Sequence, residues 1–133
     1  MVKRINLKEK LQAILIKKED LKKSKNINFF TNSKLTLQVA SIKHSKGHKI
    51  LPHKHNKFLR KIYNTSEALF LIKGKIKVNF FDKNRKFFKK VILETGDIIL
   101  FYAGTHGFEI LKNSQMIEFK QGPYIKKKDK LLI

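Results

Sequence analysis

Cysteine is absent from the chain. That excludes disulfides, thiolate nucleophiles, zinc fingers and iron–sulfur ligation, so any protein-bound metal must rest on His, Asp or Glu. The chain also lacks a run of about 18 or more apolar residues, the length a helix needs to span a bilayer, and no membrane segment is expected. Met1 to Asn6 carries charge without a following apolar stretch that ends in small residues. This is not the pattern of a secretory signal, and the cytoplasm is the expected location. Arginine is scarce, with Arg4, Arg60 and Arg85 the only ones among 31 basic residues.

That scarcity decides how the net charge of +21 is read. Clustered cations neutralise phosphates and release counterions, which is the footprint of a nucleic-acid binder. Here the cations are almost all lysine, whereas bidentate contacts to phosphate and guanine favour arginine. The lysines are spread along the whole chain beside many Ile, Asn and Phe, as in an AT-rich coding sequence. The charge therefore reads as background rather than as a nucleic-acid surface. It would still raise the encounter rate of an anionic small molecule with a cleft.

With 133 residues and 41% hydrophobic content, the chain has room for one domain, one core and one site. Residues 1–26 read as an N-terminal extension. Leu7, Leu11 and Ile14 stand at helical spacing, with Asn6 and Glu9 placed as a capping box, although Ala13 to Ile16 also fits a strand. Lys17 to Asn26 reads as a polar connection. From Ile27 onward the pattern is one of short strands: Asn28 to Thr31, Leu35 to Ile42, His48 to His55, Glu67 to Ile72, Lys75 to Phe81, Phe87 to Leu93, Asp97 to Tyr102, His106 to Leu111 and Gln115 to Lys120. Turn residues fall between them, including Ser45 to Gly47, Gly74, Thr95-Gly96, Gly104 and Asn113-Ser114. The stretch Lys75-Ile76-Lys77-Val78-Asn79-Phe80 alternates polar and apolar, so one face is wet and the other meets a core. Many short strands without a long helix predict an all-β, antiparallel sandwich or barrel over 27–125, followed by a solvated tail, 126–133, with a few anchoring apolar residues.

His53-Lys54-His55 places two imidazoles on one face of a strand, with Cα atoms about 6.5 Å apart, so both can converge on one ion. Taken alone, such a pair in a lysine-rich chain is two surface histidines. Glu67 opens the apolar run Ala68 to Ile72, and His106 lies between Gly104 and Gly107. Each of these alone has an ordinary structural reading.

Together the residues resemble the cupin superfamily, whose first motif runs glycine, five residues, His-x-His, a short spacer, Glu, six residues and glycine. Five residues separate Gly47 from His53, and six separate Glu67 from Gly74. The spacer Asn56 to Ser66 has eleven residues where the family has three or four, which reads as a lengthened hairpin loop. The second cupin motif is similar to Gly96-Asp97 and Tyr102-Ala103-Gly104-Thr105-His106, with Tyr102 at the usual proline, one residue fewer before His106, and Ile110 in place of a later Asn. The motifs cover residues 47–111, and the strand pattern extends the likeness over about 27–120. The chain also looks like a group of small cupins from surface-polysaccharide biosynthesis, through Lys43-His44-Ser45-Lys46-Gly47-His48, Pro52-His53-Lys54-His55-Asn56, His106-Gly107-Phe108-Glu109 and Lys120-Gln121-Gly122-Pro123-Tyr124.

The resemblance implies an antiparallel double-stranded β-helix, or jelly-roll barrel, holding one divalent metal ion on His53, His55, Glu67 and His106. Three imidazoles and one carboxylate suit Zn, Ni, Mn or Fe and leave positions open for water or a chelating substrate. The implied function is metal-dependent chemistry, of the isomerase or epimerase type, or an oxygenase if the metal is iron, on a sugar or sugar-nucleotide of cell-surface glycan biosynthesis. The rival is a non-catalytic, metal-dependent binding or regulatory module, since this fold hosts both. The expected partners are a small anionic or sugar-like molecule and a second copy of the chain. Arg60 is a candidate anion clamp, and Tyr102 and Phe108 are candidate pocket walls. Glu118, Gln121 and Tyr124 are candidates to close one barrel mouth, with a hydrogen-bonded structural role for the turn Gln121 to Pro123 the favoured reading, while His44 and His48 fall on the face opposite His53.

Overall fold

A computed structural model describes residues 2–133. The fold is all-β. Its strands are β1 (Lys3–Leu7), β2 (Lys10–Ile16), β3 (Asn26–Phe29), β4 (Ala40–Lys43), β5 (Glu67–Phe81), β6 (Phe87–Glu94), β7 (Ile98–Phe101) and β8 (Thr105–Lys120), with two short helices, α1 (Lys18–Lys23) and α2 (Lys126–Asp129). Every pairing is antiparallel. The main sheet runs β1-β2-β7-β5-β6, with β8 pairing the other side of β5, and β3 and β4 form a separate ribbon.

The strand β5 organises the sheet because it is long enough to serve three neighbours. Glu67–Phe70 pair with β7, Lys75–Phe81 pair with β6, and β8 follows almost the whole of β5. Residues expected as two strands and a turn at Gly74 form one continuous strand, and Asn113-Ser114 lies inside β8 rather than in a turn. The register slips on both sides of Lys73, and Gly74 sits in this bulge with φ +116°, where a Cβ would overlap the Ser114 side chain. Glycine is needed there to let the two strands bend together.

Alternation along the strands yields two apolar layers. One holds Ile5, Leu15, Leu69, Leu71, Ile76, Val78, Phe80, Val91, Leu93, Ile99 and Phe101. Because Ile5 on β1 and Val91 on β6 come from opposite ends of the sheet path, the sheet must curl around this layer in a barrel-like manner. The other layer, around Ile14, Ile16, Ala68, Leu100 and Tyr102, is covered by Leu21 of α1 and by Phe30, Leu35, Leu37 and Val39.

This second cover explains the N-terminal region. The helix expected through Leu7, Leu11 and Ile14 is instead the hairpin of β1 and β2, whose turn places the non-glycine Lys8 at φ 54°. Ala13 to Ile16 are all buried since both faces of β2 are covered, so the stretch reads as a continuous apolar run. The lysine-rich connection after β2 contains α1, whose first amide, that of Lys18, donates to the buried carboxylate of Asp97 at 2.9 Å. Asp97 also accepts the Glu94 amide at 2.9 Å and pairs with the Lys17 ammonium, tying the β6–β7 turn to the helix. Of the strand expected over Leu35 to Ile42, only its end belongs to β4; the rest is irregular, its alternate residues still turned to the second layer. His48 to His55 forms no strand, and residues 43–65 are exposed throughout.

Candidate active site

The short link Tyr102–Gly104 carries the chain from β7 into β8, so that the start of β8 folds back over the end of β7. Gly104 makes this reversal with φ +79°, and any Cβ there would overlap the side-chain oxygen of the buried Gln12. Gln12 in turn receives the amides of Tyr102 and Ala103 on its backbone carbonyl at 2.9 and 3.4 Å. As a result the His106 imidazole lies on the Phe101 ring, with centroids 3.8 Å apart and planes 14° from parallel, and Phe108 meets His106 edge-on at 5.5 Å.

Phe101 pairs across the sheet with Glu67. This places the Glu67 Oε1 atom 2.8 Å from His106 Nε2, joining residues 39 positions apart. Both side chains are largely buried, at 14% and 21% exposure. The hydrogen bond from His106 is the main reason the Glu67 carboxyl is pulled down from 4.5 to about 2, against the opposing effect of burial. Glu118, whose cross-strand partner Leu69 shares the face of Glu67, is raised, first by its hydrogen bond with Glu67 and then by burial. One carboxyl of the pair is thus pulled below the ordinary carboxylate range and the other pushed above its ordinary value.

These groups line a cavity of about 430 Å³, with Phe101 and Phe108 as apolar wall and the tail residues Asp129 to Leu132 at its mouth. The volume suits a metabolite-sized ligand. His106 Nδ1 is buried without a hydrogen-bond partner. A buried ring nitrogen left unpaired is costly, which favours a further group in this part of the site.

The residues singled out from the sequence divide into two sets. Glu67, His106 and Phe108 come together at the cavity, as does Glu118. His53, His55 and Arg60 lie on the exposed segment 43–65, where Arg60 stacks over Phe58 at 3.6 Å. The His53 and His55 rings are neighbours, with centroids 5.3 Å apart, and the His53 Nδ1 atom bonds the Leu51 carbonyl at 2.9 Å. A ring nitrogen facing a carbonyl donates to it, a contact of the kind that orients a metal-ligating histidine. Tyr102 points into the second apolar layer and donates to the Leu37 carbonyl at 2.8 Å, away from the cavity. Burial pushes its phenol up to about 12. Gln121 has the hydrogen-bonded turn role expected of it, accepting the Ser66 amide at 2.8 Å. His44 and His48 stack on each other at 3.9 Å, apart from either set.

For a metal, each half of the expected ligand set is chemically suitable. Glu67 Oε1 and His106 Nε2 are joined by a hydrogen bond of 2.8 Å, and a carboxylate oxygen and an imidazole nitrogen are both ligand types for a divalent ion. Among the described residues, however, no three His, Asp or Glu side chains form a group that could hold a metal ion. The ribbon of residues that carries His53 and His55 is not packed on the cavity. Lysine 120, at the end of β8 opposite Glu67, and Asp129 in α2 form a further ion pair at 3.0 Å that the sequence pattern did not bring out. Among the described residues no helix is long and apolar enough to cross a membrane. Set against family models, curated proteins and solved structures, the chain gives no match.

Proposed function

We propose that this chain is a metal-dependent barrel of the cupin type, in which Glu67 and His106 are the fixed half of a divalent metal centre and His53 and His55 the mobile half. The observation that carries the reading is the 2.8 Å approach of Glu67 and His106 at the base of a cavity, on an aromatic platform that fixes the imidazole. Two further features support it. The strand β8 pairs only with β5, so its other edge is open among the described residues, with Ile110, Ile117 and Phe119 exposed along it. Ile50 and Leu51, just before His53, are exposed as well. Packing of 48–55 along that edge would bury both apolar sets, satisfy open backbone groups and complete the ligand set.

The ion would act as a Lewis acid on a bound carbonyl or hydroxyl. Glu67 would supply its negative charge, Phe101 and Phe108 would form the apolar wall beside it, and Glu118, whose carboxyl is raised chiefly by Glu67, would stand next to the ligand. The substrate proposed, by the resemblance to cupins of surface-polysaccharide biosynthesis, is a sugar or sugar-nucleotide, with isomerisation or epimerisation as the reaction. Elemental analysis of protein purified without a metal-affinity column tests this reading. About one equivalent of a first-row divalent metal is expected.

A second reading rests on the same pair. Without an ion, Glu67 and His106 form a carboxylate–imidazole dyad suited to moving a proton to or from a ligand in the cavity. Metal-free protein that stays metal-free on titration would favour it.

A further inference from the structure

We infer that residues 126–132 are a latch over the cavity, held by Lys120, and that the Asp129 carboxylate occupies the place of an anionic group of the ligand. The inference goes beyond the metal reading and needs only the cavity.

Lys120 ends β8 directly across from Glu67, so its side chain projects to the same face as Glu67, and it stands behind Asp129 and Glu118, which line the cavity. Its ammonium lies 3.0 Å from Asp129 and 3.6 Å from Glu118, and over the Tyr124 ring at 5.2 Å. Both partners of the first contact are well covered, at 18% exposure for Lys120 and 14% for Asp129. A lysine so enclosed carries an ammonium that requires a counter-charge. The tail supplies one and has little else to hold it. No residue of α2 is buried, its helix is four residues long, and Leu131 and Leu132 remain 87% and 93% exposed although they stand at the cavity mouth. A segment fixed by one ion pair and few apolar contacts opens easily.

An incoming carboxylate or phosphate makes the same contact to Lys120 that Asp129 makes, and takes the counter-ion role from it. The ligand class is therefore a small anion attached to a polar body that fits about 430 Å³. Ligand entry and release of the tail are one event in this scheme, and a ligand without a negative group has to displace the tail unaided.

Backbone and methyl NMR of the full chain tests this with inorganic phosphate as the probe, read only at residues 126–132. Asp129→Asn should move those resonances to unstructured positions while the shifts of β5 and β6 stay unchanged. Phosphate added to the wild type should drive the same resonances toward the same positions, at concentrations where sodium chloride of equal ionic strength does not, since salt alone also screens the pair. Lys120→Gln should abolish the phosphate response. Unmoved resonances in Asp129→Asn would overturn the latch. A wild-type phosphate response no larger than that to chloride, or one kept in Lys120→Gln, would overturn the anion site, and the wild-type titration stands even if a variant fails to fold.

Discussion

The His106 imidazole rests flat on the Phe101 ring, and the cross-strand neighbour of Phe101 is Glu67, so one aromatic side chain sets the distance between the two polar ones. Phe101→Leu keeps the site apolar but removes that platform. It should cost about 1–3 kcal/mol, through lost aromatic contact and imperfect repacking, and leave the sheet intact. In NMR spectra the His106 ring protons should lose the upfield shift that a stacked ring produces. Unaltered His106 shifts would show that Phe101 does not position the imidazole.

The two carboxyls of the site should give opposite pH dependences in metal-free protein. Glu67 is depressed in the folded state, from 4.5 to about 2, chiefly by His106. Its contribution to stability is therefore complete above about 4.5 and is lost as pH falls through about 2. Glu118 is raised, chiefly by Glu67, so its contribution is present below its ordinary 4.5 and is lost as pH rises through its folded value. Denaturant unfolding at a series of pH values should show Glu67→Gln flattening the acid limb and Glu118→Gln removing the loss on the mildly acidic side. Parallel curves for wild type and both variants would contradict the coupling.

Two glycines that look alike in the sequence should respond differently to alanine. Gly104 and Gly47 both have positive φ, +79° and +87°, but a Cβ at Gly104 would overlap Gln12, whereas Gly47 has nothing within 4 Å. Gly47→Ala carries only the backbone penalty, about 1 kcal/mol. Gly104→Ala adds a clash at a buried hydrogen-bonded corner and should cost about 2–4 kcal/mol, while moving His106. Equal losses in thermal unfolding would mean that the corner relaxes freely.

Much of this arrangement was legible because period-two alternation is a strong signal where only one face of a strand is buried. Ile76, Val78 and Phe80 are buried as the pattern of Lys75 to Phe80 requires, and Phe87 to Leu93 and Asp97 to Tyr102 lie within a residue of β6 and β7. The signal fails where both faces are covered, as on β2, whose unbroken apolar run carries no period and whose turn at Lys8 has no glycine to mark it. Gly74 and Ser114 look like turns because glycine and serine serve bulges as well as turns. Helix α1 leaves no pattern in the sequence because it buries none of its residues and its first amide donates to Asp97, far along the chain. In the site, spacing pointed to Glu67 and His106, which the strands bring together. The tail contact of Asp129 with Lys120 has no local pattern, since it depends on where the chain returns after β8.

In the proposed centre Glu67 and His106 share an ion with His53 and His55. Calorimetric titration of zinc or manganese at pH 7 into metal-free wild type, and into the variant carrying both His53→Ala and His55→Ala, tests that sharing. One site per chain is expected in the wild type and no stoichiometric binding in the variant, because the two remaining ligands cannot hold an exchangeable ion. Equal affinity and stoichiometry in the two proteins would contradict it.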